Sequence, residues 1–257
     1  MKQYIVDAFT DKVFKGNPAA VCILDSCLSD ELMQKIAQEN NLSETAFALK
    51  KDDVYHLRWF TPKSEIDFCG HATLATAYVI SNFLDTKCNS IKFHTLSGEI
   101  TVEVIDDLFE MDFPKYSLNE VAVTHKMTEA IGVKPIAAYI DRDLLLVVDS
   151  EETVFNIKPN QSAMKELNGL AIAVTAKGKK YDCVSRVFAP ELNIMEDPVT
   201  GSTHCMIVPY WAKQLNKNNI IAFQASERTG VLYSEMKNDR VKISGKAVLF
   251  GVSEILS

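Results

Sequence analysis

The sequence lacks any surplus of positive charge, and that absence narrows its partners first. Its 27 Lys and Arg stand against 34 Asp and Glu, a net charge of -7, with no basic cluster to offset it. Such a surface repels phosphate backbones and anionic lipid, so neither nucleic acid nor a membrane is an expected partner. No apolar run approaches the ~20 residues needed to cross a bilayer. The start, MKQYIVDAFTDKV, has no basic stretch, apolar core or small-residue cleavage site of a secretory leader, so the expected location is the cytoplasm. The cysteines at 22, 27, 69, 88, 183 and 205 form no CxxC pair and are too sparse for a disulfide scaffold. They read as reduced thiols packed mostly as small hydrophobes.

The common catalytic templates are missing as well. There is no GxGxxG opening a βαβ unit, no Walker A loop, no HExxH and no G-x-S-x-G elbow. Cys69 with His71, and His204 with Cys205, do not match the usual spacing of zinc ligands. The expectation is a protein without metal or organic cofactor.

What is present is a segment written twice. Residues 55–80 read YHLRWFTPKSEIDFCGHATLATAYVI and residues 181–212 read YDCVSRVFAPELNIMEDPVTGSTHCMIVPYWA. In both, an alternating apolar segment leads to Phe-x-Pro, an acidic loop, a Gly (Gly70, Gly201) and an apolar helix-like run, predicted over about 71–83 and 202–215. Downstream, 91–113 and 221–243 match as strands joined by turns at Gly98 and Asn238-Asp239. Upstream, 17–49 and 143–176 both run strand, turn, helix, strand, with Ser29 a predicted N-cap for a helix from Asp30 to about Gln38. A period this long marks a duplicated domain rather than a solenoid. The boundary is placed in the polar stretch 115–136, giving halves of 1–115 and 116–257. The predicted class is α+β: two pseudo-symmetric halves, each a barrel-like, mostly antiparallel sheet around a central apolar helix, with a cleft between them.

Each apolar helix opens after a Gly, where free backbone N–H groups and the helix dipole favour an anion. If both starts face one cleft, they trap a substrate carboxylate; read singly, each is an ordinary cap. Glu44, in NLSETAFAL, has no acidic counterpart near Leu170 and Ala171 in the second copy. It is either a retained catalytic acid or a solvent-facing Glu. Asp197 reads as a group that orients substrate or holds His71, or as a turn former. His71 reads as a proton carrier or enolate donor, or as a structural histidine.

The set GNPAAV (16–21), LSETAF (42–47), CGHATLA (69–75), EDPVTGS (196–202) and ASERTGVLY (225–233) resembles the PhzF family of phenazine biosynthesis, within the diaminopimelate epimerase-like superfamily, over almost the whole chain. The resemblance implies a cofactor-free isomerase, usually a homodimer, in which Glu44 removes a proton from carbon and returns it elsewhere on one small carboxylated metabolite. It further implies that His71, Asp197 and Ser202 assist transfer, that Gly70 and Gly201 supply backbone donors, and that Asn17 and Ser43 border the pocket. Related epimerases and racemases use two opposed cysteines. Here Cys69 occupies the first place, but Thr200 takes the second and Cys205 lies beyond it. A hydroxyl cannot replace a thiolate base near neutrality. Two alternatives stay open: an epimerase or racemase pairing Glu44 with Cys69 or His71, and a non-catalytic binding protein on the same fold.

Overall fold

The structure, a computed structural model, describes residues 1–192 and 194–256. It divides into two compact units, Met1–Asp112 with Ser244–Ser257, and Phe113–Ile243. In the first unit the elements are β1 (Lys2–Ala8), β2 (Asn17–Leu24), α1 (Asp30–Asn40), β3 (Glu44–Lys51), β4 (Val54–Phe60), β5 (Glu65–Ile66), α2 (Gly70–Val79), β6 (Ser90–Thr95), β7 (Gly98–Ile105) and β8 (Leu108–Pro114). The second holds β9 (Asn119–Val121), α3 (His125–Ile131), β10 (Ala137–Ile140), β11 (Leu144–Val147), α4 (Glu151–Asn156), α5 (Gln161–Met164), β12 (Ile172–Lys177), β13 (Cys183–Ala189), β14 (Ile194–Asp197), α6 (His204–Leu215), β15 (Asn219–Gln224) and β16 (Gly230–Lys237). β17 (Arg240–Gly245) and β18 (Ala247–Glu254) follow.

The strands alternate as a half-buried sheet requires: in β6, Ser90, Lys92 and His94 face out while Ile91, Phe93 and Thr95 are buried. Pairing runs antiparallel from β1 to β2, parallel from β2 to β3, antiparallel from β3 to β4, parallel from β4 to β6 and antiparallel from β6 to β7. The second unit repeats the series in kind, through β10, β11, β12, β13, β15 and β16. β5 and β14 are the short antiparallel additions that follow β4 and β13.

Two departures from the expected halves have local causes. The chain returns to the first unit from Ser244 onward, because β18 pairs antiparallel along all of β1, from Lys2 opposite Glu254 to Ala8 opposite Ala247. The stretch 115–136 is a folded edge rather than a linker. β9 pairs with β10, and Thr124 caps α3 by accepting from the Met127 N–H. Met127, Ala130 and Ile131 of α3 then join Val154 and Met164 against Leu144, Val174 and Phe188, forming a core on one sheet face.

α2 and α6 serve the opposite sheet faces. His71 through Ala77, with Val79, are buried, and α2 packs on β1, β2, β3 and β18. α6 buries His204 through Trp211 and packs on β15 and β16, with the Trp211 indole donating to Thr175 Oγ1 at 2.9 Å. A helix apolar all round is buried all round. No helix of the described residues is long and apolar enough to cross a membrane.

Candidate functional site

Glu44 opens β3, and the parallel register sets it opposite Ala19 of β2, two residues beyond the fully buried Asn17. Its own helix partner comes from α2. That helix begins at Gly70, one residue earlier than expected, so His71 sits in its first turn with Cys69 as N-cap. Glu44 and His71 are each only 8% exposed, and Glu44 Oε2 approaches His71 Nε2 to 3.1 Å. The contact is close enough for an ion pair, yet among the described residues neither atom completes a well-aligned hydrogen bond. Cys69 Sγ lies 3.5 Å from His71 Nδ1, on the other side of the ring. One imidazole thus stands between a carboxylate and a thiol.

The electrostatics follow from that sandwich. Burial alone would lower the proton affinity of His71; its contacts with Cys69 and Glu44 outweigh that and hold the imidazole well above the usual histidine range. Cys69 moves the same way for a different reason. Burial raises its thiol, the Glu44 charge raises it further, and His71 with the Ala72 amide offsets only part. Cys69 is therefore an acid in its resting form, not a thiolate base.

Glu44, Cys69 and His71 present one oxygen, one sulfur and one nitrogen donor within 4.8 Å of one another. A soft divalent cation accepts such a set. Binding would require both the imidazole and the thiol to shed protons that their surroundings favour keeping, so the cluster fits proton chemistry better than a metal.

In the second unit the corresponding helix starts late. Gly201, Ser202 and Thr203 form a tight turn, with His204, Cys205 and Met206 donating three residues back, and α6 begins at His204 rather than Ser202. Asp197 ends β14 and accepts from Thr200 Oγ1 at 2.6 Å. Gln224 fixes this loop: it accepts from the Thr200 N–H at 2.9 Å and donates to the Asp197 carbonyl at 2.8 Å. Gly201 is buried and Ser202 half-buried, while in the first unit Gly70 is half-buried and Ser43 exposed. Cys205 lies inside α6, where burial pushes its thiol up to about 12. It is an inert packing thiol.

Sequence reasoning missed Asp143 and Gln224. Asp143 is 1% exposed, and its carboxylate accepts from the Ala171 N–H at 3.3 Å and from Thr203 Oγ1 at 2.8 Å. Its signal was an acid set directly before the apolar run Leu144–Val147. Gln224 was a polar residue at an inward position of β15, in line with the buried Ile220 and Ala222. Among the expected residues, the first unit gathers Glu44 and His71; what holds His71 there is Glu44 and Cys69.

The family model described as phenazine biosynthesis-like protein matches residues 6–252. A protein of Pseudomonas aeruginosa named as an uncharacterized isomerase is 46% identical over 245 residues, 95% of each chain. The crystal structure of a phenazine biosynthesis PhzF family protein from Enterococcus faecalis superposes with a TM-score of 0.98 at 47% identity, covering 100% of this chain and 99% of that one. At 10% identity, a probable proline racemase from Agrobacterium radiobacter shares the fold, with a TM-score of 0.66 over 99% of this chain and 92% of that one.

Proposed function

The chain belongs to the phenazine biosynthesis-like family and is an isomerase by that kinship; from that premise we propose that it moves a proton between two atoms of a small carboxylated metabolite, with Glu44 as the group that takes and returns it. One observation carries the reading: Glu44 Oε2 and His71 Nε2 face each other at 3.1 Å, both buried, both without an aligned partner. Buried polar atoms are normally satisfied, and exceptions cluster where a ligand completes them.

In this mechanism the Glu44 carboxylate removes a proton from carbon, leaving a carbanion conjugated with a substrate acyl or enol oxygen. The imidazolium of His71 and the amides that open α2 at Gly70 stabilise the negative charge. Glu44 then gives the same proton to a second atom of the ligand on the same face. Ser43 precedes the acid in sequence, and Asn17 lies two residues from Ala19, the acid's partner in β2; both are taken as contacts to substrate. Asp197, Gly201 and Ser202 are taken, on the family resemblance, as a second set of groups that bind substrate.

A general acid–base group contributes about 10²–10⁴ in rate. Glu44→Gln keeps the shape and removes the base, so turnover should fall by at least about 10² while ligand affinity, read by calorimetry, changes little. A Glu44→Gln enzyme retaining more than a tenth of the activity would refute the assignment. The thiol of Cys69 favours a second reading, in which an acid on the other side of the imidazole returns the proton to the same carbon with inversion. Turnover in heavy water separates the two: deuterium bound with inversion at one centre supports epimerisation, and transposition to a second atom supports the isomerase.

A further inference from the structure

We propose that Cys69 is a positioning residue for His71: its neutral thiol serves Nδ1 in both charge states of the ring and so confines proton exchange to Nε2, the nitrogen that faces Glu44. The proposal rests on the isomerase reading for its purpose, but not for its test.

The helix starts supply the first reason. Ser29, Thr124, Ser150 and Asn160 each turn a side-chain oxygen onto a backbone N–H of the helix they precede. Cys69 has the extended backbone of an N-cap, φ -147 and ψ 108, yet makes no capping bond of that kind. Its sulfur is turned to His71 Nδ1 at 3.5 Å instead. An N-cap that neglects its helix is doing something else with its side chain.

Chemistry supplies the second. A thiol is a weak donor and a weak acceptor at once. When His71 is neutral with its proton on Nε2, Nδ1 needs a donor, and S–H provides one. When His71 is an imidazolium, Nδ1–H needs an acceptor, and the sulfur lone pair provides it. Rotation of one S–H bond serves both states without moving a heavy atom. A carboxylate in that place would hold the imidazolium permanently, and a methyl group would leave the tautomer unset.

The surroundings keep the thiol in the form this requires. Burial and the charge of Glu44 both disfavour the thiolate of Cys69. The elements packed on α2 bring few rival groups. Asp7 of β1 accepts from the Phe14 N–H at 2.9 Å, Cys22 of β2 is buried with its thiol raised to about 12, and Glu254 lies exposed near the end of β18. From β3 the group that reaches the ring is Glu44.

The competing view is that Cys69 only fills space. The whole protein, labelled with ¹⁵N at its five histidines, distinguishes the two, with His71→Asn used to assign the His71 signals. The wild-type ring should titrate above the ordinary histidine range and, once neutral, show a single Nε2–H tautomer. Cys69→Ala should lower that midpoint by about half to one pH unit and yield a mixture of tautomers. Cys69→Ser, which keeps a donor and acceptor, should restore the single tautomer. With an assayed substrate, Cys69→Ala should lower kcat and shift the basic limb of its pH profile while KM stays nearly constant. Unchanged His71 signals in Cys69→Ala, or a Cys69→Ser spectrum matching that of Cys69→Ala, overturns the proposal. Because the resonances need no substrate, a correct tautomer in a protein without isomerase activity sinks the functional reading alone.

Discussion

Two buried histidines near the heads of α2 and α6 end with opposite proton affinities, and the neighbours of each explain why. His71 has a carboxylate and a thiol beside it, and keeps its proton. Among the described residues His204 has only the Thr200 carbonyl, to which Nδ1–H donates at 2.7 Å, and Nε2 meets no partner there. Burial pushes His204 down to about 4, the carbonyl countering only in part. Its folded value lies below its unfolded one, so its contribution is complete above about pH 6.5 and is lost as pH falls from there towards 4. The loss reaches up to about 3 kcal/mol. His71, raised when folded, contributes below the ordinary histidine range and loses that contribution only as pH rises through its folded value. Urea unfolding of wild type and His204→Asn at pH 7 and pH 4.5 isolates the effect. The wild type should lose about 2 to 3 kcal/mol more than the variant between those pH values; parallel losses would mean that His204 does not titrate on unfolding. Glu44 was legible as a candidate because an acid stood in one copy and not the other. Its contact with His71 was not, since 27 positions and a change from strand to helix separate them, and the packing of α2 on β2 and β3 closes that distance.

At the scale of elements, helix positions were legible and helix starts less so. α1 begins on Ser29 as the cap pattern predicts, with Ser29 Oγ accepting from the Leu32 N–H at 3.3 Å, and runs two residues past the expected end, to Asn40. The single helix expected between β11 and β12 is instead α4 and α5, because Pro159 disfavours helix at Lys158 and Asn160 starts a new cap. α6 starts at His204 because the chain before it is taken up by the tight turn Gly201–Thr203, and Thr203 makes no side-chain capping bond. The Thr203 hydroxyl donates to Asp143, a contact across 60 residues that no local pattern announces. That bond predicts a stability effect. Thr203→Val preserves shape but strips a buried carboxylate of one of its donors, and should cost about 1 to 3 kcal/mol. Chemical denaturation measures it, with Thr203→Ser as the control that keeps the hydroxyl. A Thr203→Val protein within about 0.5 kcal/mol of wild type would show that Asp143 finds an equal donor elsewhere.

For the molecule as a whole, the informative fact is how two copies of one pairing scheme have diverged. Phe60 lies opposite Thr45, and Phe188 opposite Ile172, so the residue before each strand position is Glu44 in one copy and Ala171 in the other. Across the parallel pair, Glu44 faces Ala19, whereas the Ala171 carbonyl and N–H are engaged by the Leu144 N–H and the Asp143 carboxylate. Each copy therefore carries one acid at this crossing, on opposite strands. The two acids differ in their partners: among the described residues Glu44 Oε2 has no aligned hydrogen-bond partner, whereas Asp143 is bonded to a backbone amide and a hydroxyl. Restoring the acid in the second copy would place it beside one that already occupies the crossing. Ala171→Glu would bring two buried carboxylates together and should destabilise by at least about 2 kcal/mol. Asp143→Asn removes the repulsion while keeping the side chain's shape, so the double variant should recover at least about 1 kcal/mol relative to additivity, a coupling expected only of residues in contact. A double-mutant cycle by urea denaturation reads it directly. Additive effects would place the two positions in separate environments, and the reading of Glu44 as the copy's surviving free acid would lose its structural basis.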